Sequence, residues 1–331
     1  MTAKTVLHNV IAGAAAAPVE GRYEDLIDPA TGEVFASAPI SGKPDEDRAM
    51  AEASAAFEKW RNTTPSERQQ ALLKFADAIE ARAGDLVAAE SQNTGKPLGL
   101  TASEELPPAI DQIRFFAGAA RLLEGRSAGE YLTGYESYVR REPIGVCAQV
   151  TPWNYPLMMA VWKFAPALAA GNVQILKPAE TTPLTTLRFF ELAMEAEILP
   201  PGVLNVITGD GVPVGEAIVK HPDVRLVSLT GDVETGKIIA RTAADNLKRV
   251  HLELGGKAPV IETCWGVGWL TSARPVSRSP TTTLSTPGGR NSAAISAISS
   301  VEAGVVSEGL STTVLPAAMA GAHFQTAIIS G

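Results

Sequence analysis

An α/β fold with a parallel sheet is predicted by three observations. Short apolar runs alternate with helical patterns from Gly145 to Leu254. Amphipathic helices precede them between Asp45 and Leu123. The composition then changes abruptly near residue 261. Strand–helix alternation means a parallel sheet with helices on both faces, because each crossover must return over a face. The 331 residues suffice for two domains of ordinary size, and 45% hydrophobic against 19% charged residues is an ordinary soluble balance.

Taken in order, Val6 to Pro18 is weakly apolar and superficially like a signal peptide, but it holds His8 and Asn9. Asp45 to Trp60 places Ala49, Ala53, Ala56, Phe57 and Trp60 on one helical stripe. Thr64-Pro65-Ser66-Glu67 is a capping box with proline at the first helical position, followed by the apolar face Leu72, Leu73, Phe75, Ala76 and Ile79. Pro107 to Leu123 reads as a third helix. Strands are then expected at 145–150, 173–176, 203–207, 226–229 and 250–254, with helices at 157–170, 183–196, 212–220 and 235–244.

The region 262–331 departs from this pattern. Of its 70 residues only 6 are charged and 20 are Ser or Thr; the last lysine is Lys257 and the last aspartate Asp245. It has neither the charge of a linker nor the apolar period of a domain, and irregular structure is expected. The chain therefore divides at 261.

The formal charge of -8 argues against binding nucleic acid through its phosphates. The longest apolar run, Pro156 to Gly171, is interrupted by Lys163 and two prolines, so no membrane partner is expected. Two cysteines, Cys147 and Cys264, make no disulfide framework, and a cytoplasmic setting is the simplest. No metal is expected.

Ligands bind open parallel sheets at the carboxyl ends of the strands. After the first core strand, Thr151-Pro152-Trp153-Asn154-Tyr155-Pro156 presents an amide on a rigid turn. Asn154 is either a structural turn residue or an oxyanion donor. After the second strand, Lys177 and Glu180 are either a solvated pair or a clamp on a ribose diol, and Glu180 would repel a 2′-phosphate. Gly209-Asp210-Gly211 and Gly215 weakly resemble a dinucleotide loop. Thr230 to Gly236 leads into a helix whose N-terminus can take a pyrophosphate. Glu253, between apolar neighbours and before a glycine turn, suits a general base with a raised pKa.

Together TPWNYP, KPAE, LTGDVETG and LELGGK resemble the aldehyde dehydrogenase superfamily over about residues 5 to 261. FFAGAAR (115–121), GEYLTGYESYVRREPIGV (129–146) and PWNYPLMM (152–159) are similar to its gamma-aminobutyraldehyde branch. The resemblance implies the Rossmann-like sheet of that family's NAD-binding domain. It implies NAD as cofactor and oxidation of an aldehyde, such as 4-aminobutanal, to the acid. Asn154 would be the oxyanion donor and Glu253 the base. Lys177 and Glu180 would hold the adenosine ribose. Val150, Thr151, Pro152 and Trp153 would border the cofactor, Gly211, Gly215, Gly231 and Asp232 would lie near adenine and pyrophosphate, and Leu254 near the nicotinamide. Tyr155, Met159 and Trp162 would wall an ammonium-bearing substrate. Glu105 or Asp111 would supply its countercharge, or simply face water. The hairpin at about 134–148 would belong to the family's oligomerisation region, and the family forms homo-oligomers.

Three departures bear on activity. The family's nucleophile sits in a Gly-Gln-x-Cys context a few dozen residues beyond LELGGK, and nothing after 261 matches it. Neither Cys147, mid-strand, nor Cys264, in ETCWG, has an activating neighbour in sequence. Asp232 stands where the family commonly has serine, and its carboxylate would repel a pyrophosphate. The catalytic domain and final oligomerisation strand are also without counterparts, which would leave the hairpin an open edge. The tail fits a shifted reading frame or a fused fragment, testable by sequencing the codons for 255–270. The readings that follow are an enzyme given as an incomplete chain, a silent NAD-binding or interaction protein, and the product of a broken gene.

Overall fold

The computed structural model describes residues 5–123, 125 and 129–256, and the backbone of 323–330. The order begins with β1 (Thr5–Val6), β2 (Asn9–Ile11), β3 (Ala14–Ala16), β4 (Tyr23–Ile27) and β5 (Val34–Pro39). Helices α1 (Lys43–Trp60), α2 (Pro65–Ala81), α3 (Ala83–Thr94), a single turn α4 (Leu98–Leu100) and α5 (Leu106–Ala119) follow. Then come β6 (Gly129–Leu132), β7 (Tyr135–Glu142), β8 (Val146–Val150), α6 (Pro156–Ala169), β9 (Val173–Lys177) and α7 (Leu184–Glu195). The last are β10 (Leu204–Val206), α8 (Glu216–Lys220), β11 (Val224–Thr230), α9 (Val233–Ala244), β12 (Arg249–Glu253) and β13 (His323–Ser330). The described residues from Thr5 to Leu254, together with β13, form one compact unit.

The central sheet runs β12-β11-β8-β9-β10-β2-β3. Its first five strands are parallel, and β2 and β3 add antiparallel. The chain builds outward from β8 through β9 to β10, then returns to place β11 on the other side of β8. The order therefore reverses between β8 and β11, and a crevice opens at their carboxyl ends. Helices α6 and α7 pack on one face with α2 and α5 over them, while α1, α8 and α9 pack on the other.

Local chemistry explains these elements. The Thr64 hydroxyl accepts from the Glu67 amide at 3.2 Å, and the Glu67 carboxylate accepts from the Thr64 amide, closing the predicted capping box. Helix α6 is apolar nearly all round and lies buried, as a helix must when both sides meet protein. The Phe164 ring contacts Phe75, Phe189 and Phe190 at centroid distances of 5.2, 6.4 and 5.9 Å, joining α2, α6 and α7.

The structure adjusts several expectations. The signal-like segment 6–18 is woven into sheets: Asn9 is wholly buried, donates to Ser41 Oγ at 2.9 Å and accepts from the Thr208 amide at 3.0 Å. Residues 146–148 of the expected hairpin belong instead to β8, at the centre of the parallel sheet. The hairpin edge is not open, because β13 pairs antiparallel with β7 from His323 opposite Glu142 to Ser330 opposite Tyr135. The rest of the 262–331 tail, including Cys264, lies outside the described residues.

Candidate active site at the carboxyl edge of the sheet

Register gathers the predicted residues at one edge. Val150 lies opposite Lys177 on one side and Leu229 on the other, and Thr230 lies opposite Glu253. Lys177 and Glu253 stand three strand spacings apart, about 14 Å. A dinucleotide laid along this edge would cross the β8–β11 switch point.

At the β9 end, Lys177 is buried and its Nζ lies 3.5 Å from Glu180 Oε2 and donates to the Pro178 carbonyl at 3.2 Å. Burial pulls its ammonium below the usual lysine range, with Glu180 and Asp210 opposing. Gly215 lies against the lysine stem: a Cβ there would sit 3.6 Å from Lys177 Cδ, an ordinary van der Waals contact. Gly211 and Gly215 bound an irregular turn before α8, in which Val212 is extended. Gly209, with φ at +135°, brings that loop within 3.2 Å of the Ser41 amide, measured from an added Cβ, so a side chain is excluded.

Across the switch point, the Thr151 amide donates to the Lys177 carbonyl at 3.1 Å, and Thr151 Oγ1 is buried without a partner. Pro152 is half-buried, and Trp153 and Asn154 are exposed. At the β11 end, the Gly231 amide donates to the Glu253 carbonyl at 3.0 Å. Leu254 packs on Gly236, where a Cβ would meet its Cδ2 at 2.8 Å. Glu253 itself is exposed rather than set in an apolar pocket.

Asp232, expected near the pyrophosphate, caps its own helix. Its Oδ1 accepts from the Glu234 and Thr235 amides at 2.9 and 3.0 Å, and Thr235 Oγ1 donates to its Oδ2 at 2.6 Å. The Thr235 hydroxyl and amide hold its carboxyl below the usual aspartate range. Asp232 is thus the N-cap of α9, and it occupies the amides that would face a pyrophosphate.

Tyr155 stands at the N-cap position of α6 without a side-chain capping bond, and Met159 and Trp162 follow at i+4 and i+7, so the three share one helix face. Glu105 is buried and paired within the protein. Lys96, which carries no motif in the sequence, donates to both Glu105 oxygens at 2.8 Å and to Glu90 Oε1 at 3.0 Å, and its Nζ lies 4.7 Å from the Tyr155 ring centroid. This internal ammonium makes the contacts expected of a substrate ammonium. Asp111 is exposed on α5. Cys147 is buried mid-strand and burial pushes its thiol up to about 12, so it is no nucleophile.

A doubly wound sheet with polar side chains gathered at its carboxyl edge defines a nucleotide-binding α/β class. The profile of the aldehyde dehydrogenase family matches residues 17–263. Acetaldehyde dehydrogenase 2 of Cupriavidus necator is 44% identical over 258 residues, covering 78% of this chain and 50% of that protein. Fluoroacetaldehyde dehydrogenase of Streptantibioticus cattleyicolor is 45% identical over 251 residues, covering 76% and 49%. Among solved structures, the NAD+ complex of a Bacillus cereus aldehyde dehydrogenase superposes with a TM-score of 0.74 at 37% identity, covering 76% of this chain and 52% of that one. Betaine aldehyde dehydrogenase of Staphylococcus aureus with NAD+ gives 0.73 at 39%, covering 76% and 50%. The chain belongs to the aldehyde dehydrogenase family and spans about half the length of the curated relatives it matches. Among the described residues, no helix is long and apolar enough to cross a membrane.

Proposed function

We propose that this chain binds NAD along the carboxyl edge of its sheet and carries the cofactor half of an aldehyde-oxidising site. The reading is supported above all by Lys177, a buried ammonium beside the Glu180 carboxylate at a strand end, a donor and an acceptor spaced for the two hydroxyls of a ribose. The ribose end of the site fits the cofactor; the diphosphate end fits it poorly, because Asp232 fills the first amides of α9. Bound NAD would supply the hydride acceptor.

The chain's own residues divide the remaining work. Asn154, exposed beside the switch point, would donate its amide to the oxyanion of the attacked aldehyde. Glu253, exposed on the outer strand, would take a proton from the hydrolytic water. Aldehyde oxidation in this form needs a thiolate, and Cys147 is the only cysteine among the described residues. The chain is therefore expected to bind the cofactor without turning over. The substrate reading as an amino-aldehyde such as 4-aminobutanal rests on the 115–121 and 129–146 segments and on the Tyr155, Met159 and Trp162 face. Lys96 already occupies the Tyr155 and Glu105 contacts, so an ammonium group would have to find another anion. By the same reading the setting is cytoplasmic, and partners are limited to a small aldehyde.

Calorimetric titration of the purified chain with NAD, beside an NADH absorbance assay with 4-aminobutanal, tests this. Saturable binding, weakened about 10- to 100-fold by Lys177→Met, is expected with no NADH produced. A folded chain that shows no saturable binding would overturn the reading. Turnover abolished by Cys264→Ser would make the chain an enzyme in its own right.

A further inference from the structure

A largely enclosed ammonium lies against the turn that carries Asn154. Helix α3 ends at Thr94, and Gly95, with φ at +75°, turns the chain so that Lys96 comes back toward its own helix. Ser91 Oγ donates to the Lys96 carbonyl at 2.6 Å and fixes that return. Lys96 Nζ then meets groups from three elements. Glu90 Oε1 of α3 accepts at 3.0 Å, both oxygens of Glu105, just before α5, accept at 2.8 Å, and the Tyr155 ring centroid lies at 4.7 Å. Both glutamates are buried, and the lysine side chain is 16% exposed. The second Glu90 oxygen accepts from Thr185 Oγ1 at 2.6 Å. Asn93, one turn further along α3, accepts from the Leu184 amide at 3.1 Å and donates to the Thr181 carbonyl at 2.9 Å. Helix α3 thus holds two loops: through Asn93 the one that follows Glu180, and through Lys96 the one that carries Asn154.

A buried lysine–carboxylate cluster adds little net stability, because desolvation offsets its attraction. Burial raises the Glu105 carboxyl, with Lys96 opposing. What sets this cluster apart is that its cation also meets a ring face. Pro152 and Pro156 each fix their own φ, so residues 153 to 155 between them are set by their contacts. The Trp153 carbonyl accepts from Thr182 Oγ1 at 3.4 Å. Tyr155 makes no side-chain capping bond, and its ring rests on Lys96. Asn154 stands exposed between these two held neighbours. We propose that Lys96 is a positioning residue for the oxyanion donor: its ammonium, held by Glu90 and Glu105, fixes the Tyr155 ring and thereby the direction of the Asn154 amide. It acts through Tyr155 and not on the aldehyde, and its charge is matched by the two carboxylates.

The inference rests on Asn154 as the oxyanion donor, but its test needs neither cofactor nor aldehyde. Nitrogen relaxation in the intact, isotope-labelled chain gives the order parameter of each backbone amide. Asn154 and Tyr155 are expected near the rigid value of about 0.85 in the parent and below about 0.6 in Lys96→Met. Lys96→Arg keeps a cation that can meet the ring and both carboxylates, and is expected to restore them. Thr181, held by Asn93, is expected to stay ordered in all three chains. Unchanged order at Asn154 and Tyr155 overturns the proposal. Equal loss at Thr181 overturns it too, since a general loosening is not positioning. Lys96→Met leaves two buried carboxylates without their cation, and should it fail to fold, Lys96→Met combined with Glu90→Gln and Glu105→Gln removes that charge and decides by the same criterion. The NAD titration separately judges the reading of the site, so the two failures are distinguishable.

Discussion

The two arms of the parallel sheet are built from the same strand–helix unit yet live in different surroundings. On one side of the switch point, every residue of β9 is buried and α6 is buried almost throughout. Helices cover that arm on both faces, and the aromatic rings of α2, α6 and α7 lock the outer layer. On the other side, β12 has no fully buried residue, and α9 buries only Gly236, Ile239 and Ala243. Ile238 and Leu247 stay exposed there. Regular structure is thus no measure of local stability: the first arm is held by apolar burial throughout, while in the second only the inner strand β11 is buried and β12 and α9 rest chiefly on ladder bonds and caps. The proposed cofactor groove has one wall on each arm.

The sharpest way to break this contrast is to truncate one core side chain on each arm. Phe164→Ala removes the ring shared by three helices and is expected to cost about 4 kcal/mol of stability. Ile239→Ala on α9 is expected to cost about 2 kcal/mol, because a half-exposed helix can settle into the space. Urea unfolding of the two variants reads the difference. Equal losses would mean the arms are equally packed.

A smaller effect probes the charge hidden against the rigid arm. Glu46 of α1 is buried, and its Oε1 has no hydrogen-bond partner. Burial raises its carboxyl from 4.5 to about 7, with Lys43 opposing. The folded state then keeps a proton that the unfolded chain releases. Its contribution is complete below the unfolded value and is lost as pH rises through about 7. Glu46→Gln should remove that slope and leave the variant roughly 1–3 kcal/mol more stable than the parent at alkaline pH. Melting curves on both sides of neutrality measure it, and a parent whose stability does not fall over this window contradicts the assignment.

Both arms of the sheet were legible because apolar runs of strand and helix length are local: β8, β9, α6 and β12 match their expected bounds to within a residue. The N-terminal strands were not. Ala14–Ala16 carries no alternation, and Tyr23–Ile27 reads as polar because most of it faces water. Helix α3 escaped notice because Arg82, not a capping residue, precedes it. At the site, strand ends could be located once the sheet was parallel, and Lys177 and Glu253 do end β9 and β12. Lys96, Glu90 and Asn93 act through contacts set by tertiary packing, which no sequence period encodes. Asp232 carried an ordinary N-cap signature, but the family resemblance drew attention to phosphate instead.

Asp232 gives the smallest and most pointed test, because it sits on the loosely held wall of the groove. Its carboxylate satisfies the Glu234 and Thr235 amides that a diphosphate would otherwise meet, and adds a negative charge beside them. Serine at this position can still cap the helix through its hydroxyl, so α9 should survive the exchange. It brings no charge, and the turn regains its attraction for an anion. Asp232→Ser is therefore expected to tighten NAD roughly three- to tenfold, the gain shrinking as salt is added. Adenosine, which has no phosphate, should bind both chains alike. Calorimetry with the two ligands separates the cases. If Asp232→Ser weakens NAD instead, the carboxylate is supporting the groove, and the wall on this arm depends on its cap more than on its charge.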